Sequence, residues 1–197
     1  MESSSYPDFL LNPDAKLAEG CKSGCVAAYE QLYNAHGARM KSIALNILGN
    51  TSDAEDAVQE TFLKIYRSVD RFKGESAFTT WIYRILVNAC HDLVRKRQRR
   101  NPEVQETELE PGTLELSAVN PADHPLRLAL ENSLKKLSDR NRTVFLLFEV
   151  EGFKHREIAE ILNIPEGTSK NLLFEAKKEL QRLLWKSGQS LRSTDET

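Results

Sequence analysis

Helical periodicity runs through two long blocks of this chain and constrains its fold more than any other feature. Apolar residues recur at helical spacing over residues 25–97 and again over residues 126–186. Neither block shows the alternation of apolar and polar residues that marks a half-buried strand. The sequence therefore predicts an all-α protein.

The residues between the two blocks have a different composition. Residues 101–123 hold six acids and no Lys or Arg, and prolines are spread through residues 102–125. This composition favours an extended tether. We predict two small helical domains, at 25–98 and 126–186, joined by a flexible acidic linker at 99–125. The tail at 1–24 leaves room for a short helix, and 187–197 is a polar tail.

The net charge of −2 conceals a strongly basic segment. Residues 84–100 contain six Lys or Arg and one Asp. Clustered cations of this kind suit a phosphate backbone, whereas a near-neutral total by itself does not. The distribution of charge therefore permits nucleic-acid binding.

Several function classes lack their sequence signals. The chain begins without a signal-peptide pattern and has no apolar run near the ~18 residues of a membrane span, which predicts a cytoplasmic protein. It has no Gly-rich phosphate loop and no catalytic triad signature. The cysteines match no common zinc spacing and are expected to be buried or inert, and the histidines are expected at surface or capping positions. The cysteines are Cys21, Cys25 and Cys90, and the histidines are His36, His91, His124 and His155.

The first block predicts four helices. Two amphipathic helices fit the apolar positions between Ala28 and Leu48, with Tyr33 on the apolar face. The third begins at Ser52-Asp53-Ala54-Glu55, which reads as a capping box. A long fourth helix is capped by Ser76 and ends in the basic cluster.

Two of these helices carry outward faces of interest. On the fourth helix, Trp81 lies on one flank with cations, a combination that can stack on and hold a single strand; the alternative is a core-edge tryptophan beside a solvated charged face. That flank comprises Trp81, Arg84, Asn88 and Arg95. The third helix presents a predicted docking face of Asp56, Gln59, Glu60 and Leu63. Favourable interaction with the helix dipole would explain the first-turn acids but not Glu60 or Leu63.

The second block contains a helix-turn-helix pattern. Apolar positions from Ile158 to Leu162 share one face, Asn163-Ile164-Pro165 breaks the run, and Leu173 begins the same period again. Such a motif predicts contact with DNA through the start of its second helix, although plain packing of two helices remains an alternative. Outward Glu175 either accepts a hydrogen bond from cytosine or pairs with Lys178 or Arg182, and we favour the internal pair.

Two motif sets in order closely resemble bacterial sigma factors of the extracytoplasmic-function (ECF) group. The first runs over Asp53-Ala54-Glu55-Asp56-Ala57-Val58-Gln59-Glu60-Thr61-Phe62-Leu63 and Phe72-Lys73-Gly74-Glu75-Ser76-Ala77-Phe78-Thr79-Thr80-Trp81-Ile82-Tyr83-Arg84-Ile85. The second runs over Leu137-Ser138-Asp139-Arg140-Asn141-Arg142-Thr143-Val144-Phe145-Leu146-Leu147 and Glu157-Ile158-Ala159-Glu160-Ile161-Leu162.

The resemblance implies a transcription initiation factor that binds core RNA polymerase, directs it to promoters and helps to melt them. Its implied partners are the largest and second-largest polymerase subunits, promoter DNA and an anti-sigma factor. It implies no catalytic residue, metal or cofactor, and no membrane insertion. The competing hypothesis is a stand-alone helix-turn-helix regulator with an N-terminal sensing domain.

The resemblance also implies roles for individual residues. Core polymerase binding falls to Asp56, Gln59, Glu60 and Leu63. Binding of the minus-ten element falls to Phe72, Lys73, Ser76, Trp81, Arg84, Asn88 and Arg95. Binding of the minus-thirty-five element falls to Lys170, Asn171, Phe174, Lys177 and Lys178. Leu172 and Glu175 stand where the family often has cations, so we expect a weaker hold on the upstream element.

Overall fold

The computed structural model describes residues 13–100 and 124–193, without the side chains of 98, 100, 124–127 and 187–193. Over these ranges the chain is helical and contains no strand, so the predicted all-α class is confirmed. The first domain comprises α1 Pro13–Lys22, α2 Val26–Leu48, α3 Thr51–Ser68, a 3₁₀ turn Val69–Arg71 and α4 Phe78–Arg100. The second comprises α5 His124–Lys135, α6 Asp139–Phe145, a π-helical segment Leu146–Val150, α7 His155–Leu162 and α8 Glu166–Ser193. Most of the predicted linker lies outside the described residues.

The first domain is built on α2, which is one helix of 23 residues where two were expected. It ends at Gly49, whose φ of 78° is readily adopted only by glycine. Helix α1 belongs to the same core, since Leu17 is buried and a Cβ at Gly20 would lie 2.8 Å from the Ala28 Cβ. Tyr33, expected on the apolar face, is 60% exposed.

Both predicted helix caps of the first domain are wrong. Helix α3 is capped by Asn50, whose side chain accepts a hydrogen bond from the Asp53 amide at 2.8 Å. The Ser76 hydroxyl donates to the Ala77 carbonyl, while Asp14 from α1 accepts from the Thr79 amide at 3.2 Å. A carboxylate 65 residues away thus satisfies the start of α4, which local sequence patterns cannot reveal.

The second domain contains the predicted helix-turn-helix. Helix α7 ends at Asn163, which adopts the left-handed conformation with φ 52°, and α8 follows after Pro165. A small core fills the space between α5, α6 and α8, and it consists of Leu134, Leu137, Leu146, Ala176 and Leu180. This core packs against the middle of α8.

The two domains pack against each other. Helix α4 lies directly on α7, and α2 contacts α6 and the π-helical segment. A single apolar cluster joins Tyr83 and Val87 of the first domain to Val144, Phe153 and Ile158 of the second. The domains expected on a tether therefore share a continuous core.

The described residues contain no helix long and apolar enough to cross a membrane, and no cluster of metal-ligating side chains. Cys21 and Cys90 are buried, and burial raises their thiol pKa values to about 11 and about 12. Cys25 is exposed.

Candidate nucleic-acid and polymerase interfaces

An acidic face with one exposed leucine runs along α3. Asp56, Gln59 and Glu60 are exposed, and Leu63 among them is 49% exposed. An apolar side chain this open on a helix that packs its opposite side into the core is a feature of binding surfaces. The structure thus brings all four predicted docking residues together on one face.

This face forms one wall of a groove of about 460 Å³. Helix α4 supplies the other wall through Asp92, Leu93 and Lys96. At the rim, Lys64 Nζ lies 3.7 Å from a Glu60 oxygen and 3.9 Å from an Asp92 oxygen. Exposed pairs of this kind contribute only ~0–1 kcal/mol, so a partner can rearrange the rim at little cost.

Three aromatic rings stand at the start of α4. Trp81 stacks on Phe78 with ring centroids 5.7 Å apart, and Phe72 completes the cluster at 5.4 Å from Trp81 and 5.2 Å from Phe78. Phe78 is buried, whereas Phe72 and Trp81 are half-buried. Trp81 is therefore a core-edge residue that still presents part of its indole, which leaves both interpretations of this residue open.

The rest of the predicted minus-ten set is spread from the loop before α4 along roughly three to four turns of that helix. Asn88 and Arg95 are exposed on α4, with Arg95 bound to Asp92 at 2.6 Å. Arg84 is half-buried, and its Nε is buried without a hydrogen-bond partner in the described part of the chain. In the loop before α4, Lys73 is exposed and Ser76 is half-buried.

The first turns of α8 present an exposed polar face with an aromatic residue at its centre. Phe174 is 68% exposed, and Lys170, Asn171 and Lys178 are exposed with it. Lys170 Nζ lies 2.7 Å from Glu166 at the helix start. These four predicted residues form one outward surface, which a helix entering the major groove requires.

A histidine supports this face from behind. His155 stacks on Phe148 with centroids 4.5 Å apart, and its Nδ1 lies 3.0 Å from the buried Ser169 hydroxyl. The expectation of a surface or capping role for this residue is therefore wrong. His155 fixes α8 against the π-helical segment.

Two charged residues of α8 differ from expectation. Lys177 Nζ lies 2.6 Å from Glu149 and faces the Phe148 ring, so this predicted DNA contact is engaged inside its own domain. Glu175 has no ion pair among the described residues, because Arg182 pairs with Glu179 instead. The favoured internal pairing of Glu175 is wrong, and its carboxylate faces outward.

The contact between the domains centres on a partly buried ion pair. Arg39 Nε donates to Glu151 at 3.1 Å, and Ser42 also donates to Glu151, whose side chain is only 8% exposed. The same guanidinium lies over the Phe153 ring at 4.2 Å. Phe153 in turn meets Tyr83 edge to face at 5.1 Å. Burial raises the pKa of Tyr83 to about 12.

Two more histidines lie in these packed regions and were not expected there. His91 Nε2 approaches the Thr143 hydroxyl of the second domain at 3.4 Å, and His36 Nδ1 lies 3.2 Å from the Tyr83 hydroxyl. Burial lowers the pKa of both imidazoles. The surface assignment of these histidines is wrong, and the side chain of His124 lies outside the described residues.

The sequence analysis missed the residues that join the domains. One signal was present: Tyr83, Val87 and Val94 form a second apolar stripe on α4, and all three are buried. A helix with two apolar sides packs against two layers. Nothing local indicated that Arg39 and Glu151 would meet, since they are 112 residues apart.

Comparisons with known proteins agree with this architecture. The family model "Sigma-70 region 2" matches residues 32–100, and "Sigma-70, region 4" matches residues 127–180. The ECF RNA polymerase sigma factor SigW of Bacillus subtilis is 32% identical over 178 residues, which cover 86% of this chain and 95% of SigW. The RNA polymerase sigma-H factor of Pseudomonas aeruginosa is 28% identical over 180 residues, with coverage of 87% and 93%.

Solved structures give the same result. CnrH in complex with the cytosolic domain of CnrY has a TM-score of 0.67 and 26% identity, covering 88% of this chain and 97% of CnrH. RpoE in complex with the anti-sigma factor NepR, from Bartonella quintana, has a TM-score of 0.64 and 26% identity, covering 81% and 98%.

An all-α protein with a helix-turn-helix domain behind a sigma region 2 domain is a promoter-specificity factor. The chain belongs to the ECF RNA polymerase sigma factors. It binds core RNA polymerase and promoter DNA, directs the enzyme to promoters and helps to melt them. The alternative of a regulator with a sensing domain is not favoured, because region 2 occupies the place of that domain. Sigma factors are transcription factors without enzymatic activity of their own.

Proposed function

We propose that this sigma factor works through three separate faces. The α3 face docks on the polymerase, the outer side of α4 captures the minus-ten strand, and the start of α8 reads the minus-thirty-five duplex. The observation that carries this proposal is the groove between α3 and α4, where exposed Leu63 lies among Asp56, Gln59 and Glu60.

The groove suits a helical partner that carries both cations and apolar side chains. Acids at its rim attract basic residues during encounter, and the leucine provides apolar contact once water is expelled. Because α4 forms the second wall, a partner seated there also touches the helix that carries the promoter face. Polymerase docking and strand capture then involve a common element.

For the minus-ten element we propose that Trp81 and Phe72 are the stacking partners of an unpaired base. Their packing on Phe78 holds both rings in place before DNA arrives, which reduces the ordering entropy that binding would otherwise cost. Lys73, Asn88 and Arg95 would then hold the neighbouring backbone. An exposed base gains ~1–3 kcal/mol from aromatic stacking, which helps to offset the unstacking cost of melting.

For the minus-thirty-five element we propose that Asn171 and Phe174 face base edges while Lys170 and Lys178 hold phosphates. An asparagine can bind adenine by two hydrogen bonds, and a phenyl ring can contact a thymine methyl group. Outward Glu175 reduces the attraction for phosphate. We therefore propose that this domain contributes more to the sequence specificity of promoter binding than to its affinity.

We further propose that the protein needs no cofactor or catalytic residue, acts in the cytoplasm together with its polymerase, and is restrained by an anti-sigma protein. The solved CnrH is bound to the cytosolic domain of CnrY, and the solved RpoE is bound to NepR. A partner of this type would cover the α3 face or the α8 face.

Transcription by reconstituted holoenzyme tests the function. Core enzyme with the wild-type chain is expected to yield specific run-off transcripts from a promoter library, and the chain is expected to co-elute with core enzyme. Glu60→Arg should abolish co-elution, because a cation replaces an acid in the groove. The matched control is Glu19→Arg, which makes the same change on the exposed side of α1. Equal co-elution of both variants would show that α3 does not dock.

A further inference from the structure

A set of side chains inside the second domain connects the start of α8 to the elements behind it. We propose that two of them, His155 and Lys177, are positioning residues for the minus-thirty-five element. They fix the rotation of α8 about its own axis, so that Asn171 and Phe174 point at base edges, while Lys177 itself makes no contact with DNA. The inference deepens, and rests on, the role proposed above for the start of α8.

The contacts of this set form a closed chain between three elements. The π-helical segment binds α7 through Phe148, which stacks on His155 with ring centroids 4.5 Å apart. It binds α8 through Glu149, whose carboxylate lies 2.6 Å from Lys177 Nζ, and the same ammonium stands over the Phe148 ring at 5.8 Å. His155 then joins α7 to α8 through the Ser169 hydroxyl at 3.0 Å. These five residues, the α8 brace, therefore link each of the three elements to the other two.

The two neighbouring lysines of α8 point in different directions. At ~100° per residue, Lys178 lies about 40° from Phe174 around the helix, on the side that also carries Asn171. Lys177 lies about 60° from Phe174 in the opposite sense, on the flank that meets Glu149. Lys178 is exposed and forms no ion pair within the part of the chain that the structure describes. Lys178 is therefore available to a phosphate, whereas Lys177 is engaged by the brace.

The inward side of the same turns carries small side chains. Ser169 and Ala176 are fully buried, and Leu173 lies between them. Small side chains interlock weakly with neighbouring helices, and so they resist rotation of α8 weakly. The tip of Asn171 lies ~5–6 Å from the helix axis, so a rotation of ~10° moves it by ~1 Å. Such a shift is enough to weaken a pair of hydrogen bonds to adenine, and the α8 brace therefore controls base reading.

The buried hydroxyl of Ser169 gives α8 a preferred rotation. Ser169 is 0% exposed, and His155 Nδ1 is its hydrogen-bond partner from outside α8. Rotation of the helix separates the two groups and leaves a buried hydroxyl without this partner, which is costly. The pair of Glu149 and Lys177 is half-exposed, and pairs of that kind add little to stability. Its effect is on direction, because it adds a second fixed point about two turns further along the helix.

The two lysines provide a matched pair of substitutions. Holoenzyme made from core enzyme and the full chain is bound to a promoter duplex recovered from the run-off library, and to single-base variants of its upstream element. Lys178→Ala should reduce the slope of log K against log salt by ~0.9, because one phosphate contact is lost. Lys177→Ala should leave the slope unchanged and lower the discrimination against single-base variants about fivefold. Equal loss of slope in both variants, with discrimination intact, would make Lys177 a phosphate contact and overturn the proposal.

Exchange of the two charges tests the brace in a second way. Lys177→Glu places two carboxylates together and should lower discrimination at least as much as Lys177→Ala. Addition of Glu149→Lys to the same chain restores the ion pair with reversed charges, and most of the discrimination should return. A phosphate contact at this position is not rescued by the exchange, because a carboxylate then occupies it. If discrimination does not return in the double variant, the pair does not position α8.

The histidine is tested by removing its hydrogen bond from either end. His155→Phe keeps a ring on Phe148 but loses the bond to Ser169, and Ser169→Ala loses the same bond from α8. Each variant should lower discrimination by a similar factor. The double variant should lower it no further, because both substitutions remove one contact. Wild-type discrimination in both single variants would remove the positioning role of His155.

The same binding data separate this inference from the proposed function. Equal wild-type affinity for all single-base variants, together with an unchanged slope in Lys178→Ala, would show that α8 does not read the upstream element. A wild type that discriminates, and a Lys178→Ala slope that falls, support the reading role by themselves. If the brace variants then behave as the wild type, α8 reads DNA without help from His155 and Lys177.

Discussion

Helix α4 and the first turns of α8 carry the two proposed DNA-reading faces, and they differ in how much protein stands behind them. The α4 face begins with an indole that packs on a buried phenylalanine and against the core. The α8 face projects a phenyl ring that is 68% exposed, with polar neighbours. A single strand must be caught on a rigid surface, whereas a duplex groove must be entered by a protruding helix. The supported α4 face thus suits a single strand, and the protruding α8 face suits a duplex.

The largest expected effect tests the support beneath the α4 face. Phe78→Ala removes a buried ring that contacts both Phe72 and Trp81, and should lower the free energy of unfolding by ~3–5 kcal/mol. Phe174→Ala removes the same ring from α8 and should change stability by less than ~0.5 kcal/mol. Urea denaturation of the full chain measures both. Equal losses of unfolding free energy in the two variants would show that the α4 face has no more support from the core than the α8 face.

The next effect concerns the stacking surface itself. Trp81→Ala should weaken holoenzyme binding to a single-stranded minus-ten oligonucleotide by ~1–3 kcal/mol, because one stacked base loses its partner. Trp81→Phe should retain most of the affinity. Asn171→Ala lies on the other face and serves as the control, with no change expected. An oligonucleotide affinity unchanged in folded Trp81→Ala would make this residue a core-edge tryptophan only.

A smaller effect tests the weak electrostatics of α8. Glu175→Arg should steepen the dependence of log K on log salt by ~0.9 for one added phosphate contact, and Glu175→Gln should have a smaller effect. Footprinting of the upstream element by holoenzyme over a salt series measures the slope. If Glu175→Arg leaves the slope unchanged, the carboxylate does not face the phosphate backbone.

The smallest effect concerns pH and the packed histidines. Burial lowers the pKa of His36 and His91 below the ordinary 6.5, so the folded state binds fewer protons than the unfolded state as pH falls through 6.5 toward the folded pKa values. Stability therefore declines across that window and is regained as pH rises above 6.5. Thermal midpoints should fall more for the wild type than for His91→Gln. Parallel curves for the two proteins would show that His91 titrates freely in the folded state.

Much of the candidate site was accessible from the sequence because it depends on local periodicity. The outward positions of Glu60, Leu63, Asn171 and Phe174 follow from the apolar residues on the opposite side of each helix. The end of α7 follows from the break before Pro165, whereas the left-handed conformation of Asn163 was not predicted. Their functional roles remain predictions, since exposure alone does not identify a partner.

Other features required distant residues to meet. The cap of α4 comes from Asp14, and the partner of Lys177 comes from the π-helical segment. Local patterns indicated Ser76 for the first, and the family resemblance implied a DNA contact for Lys177. Each of these side chains has several chemically suitable partners. The fold decides which partner it meets, because the fold sets the position of the backbone that carries it.

The sequence by itself determined the helical class, the helix-turn-helix and the side of each helix that faces solvent, because these depend on residues within a few turns of one another. Only the tertiary structure decided that the second domain docks on α2 and α4. That arrangement depends on Arg39 meeting Glu151 across 112 residues and His91 meeting Thr143 across 52. Contacts between residues so far apart in the chain produce no periodic pattern in the sequence, since the residues meet only once both domains are folded.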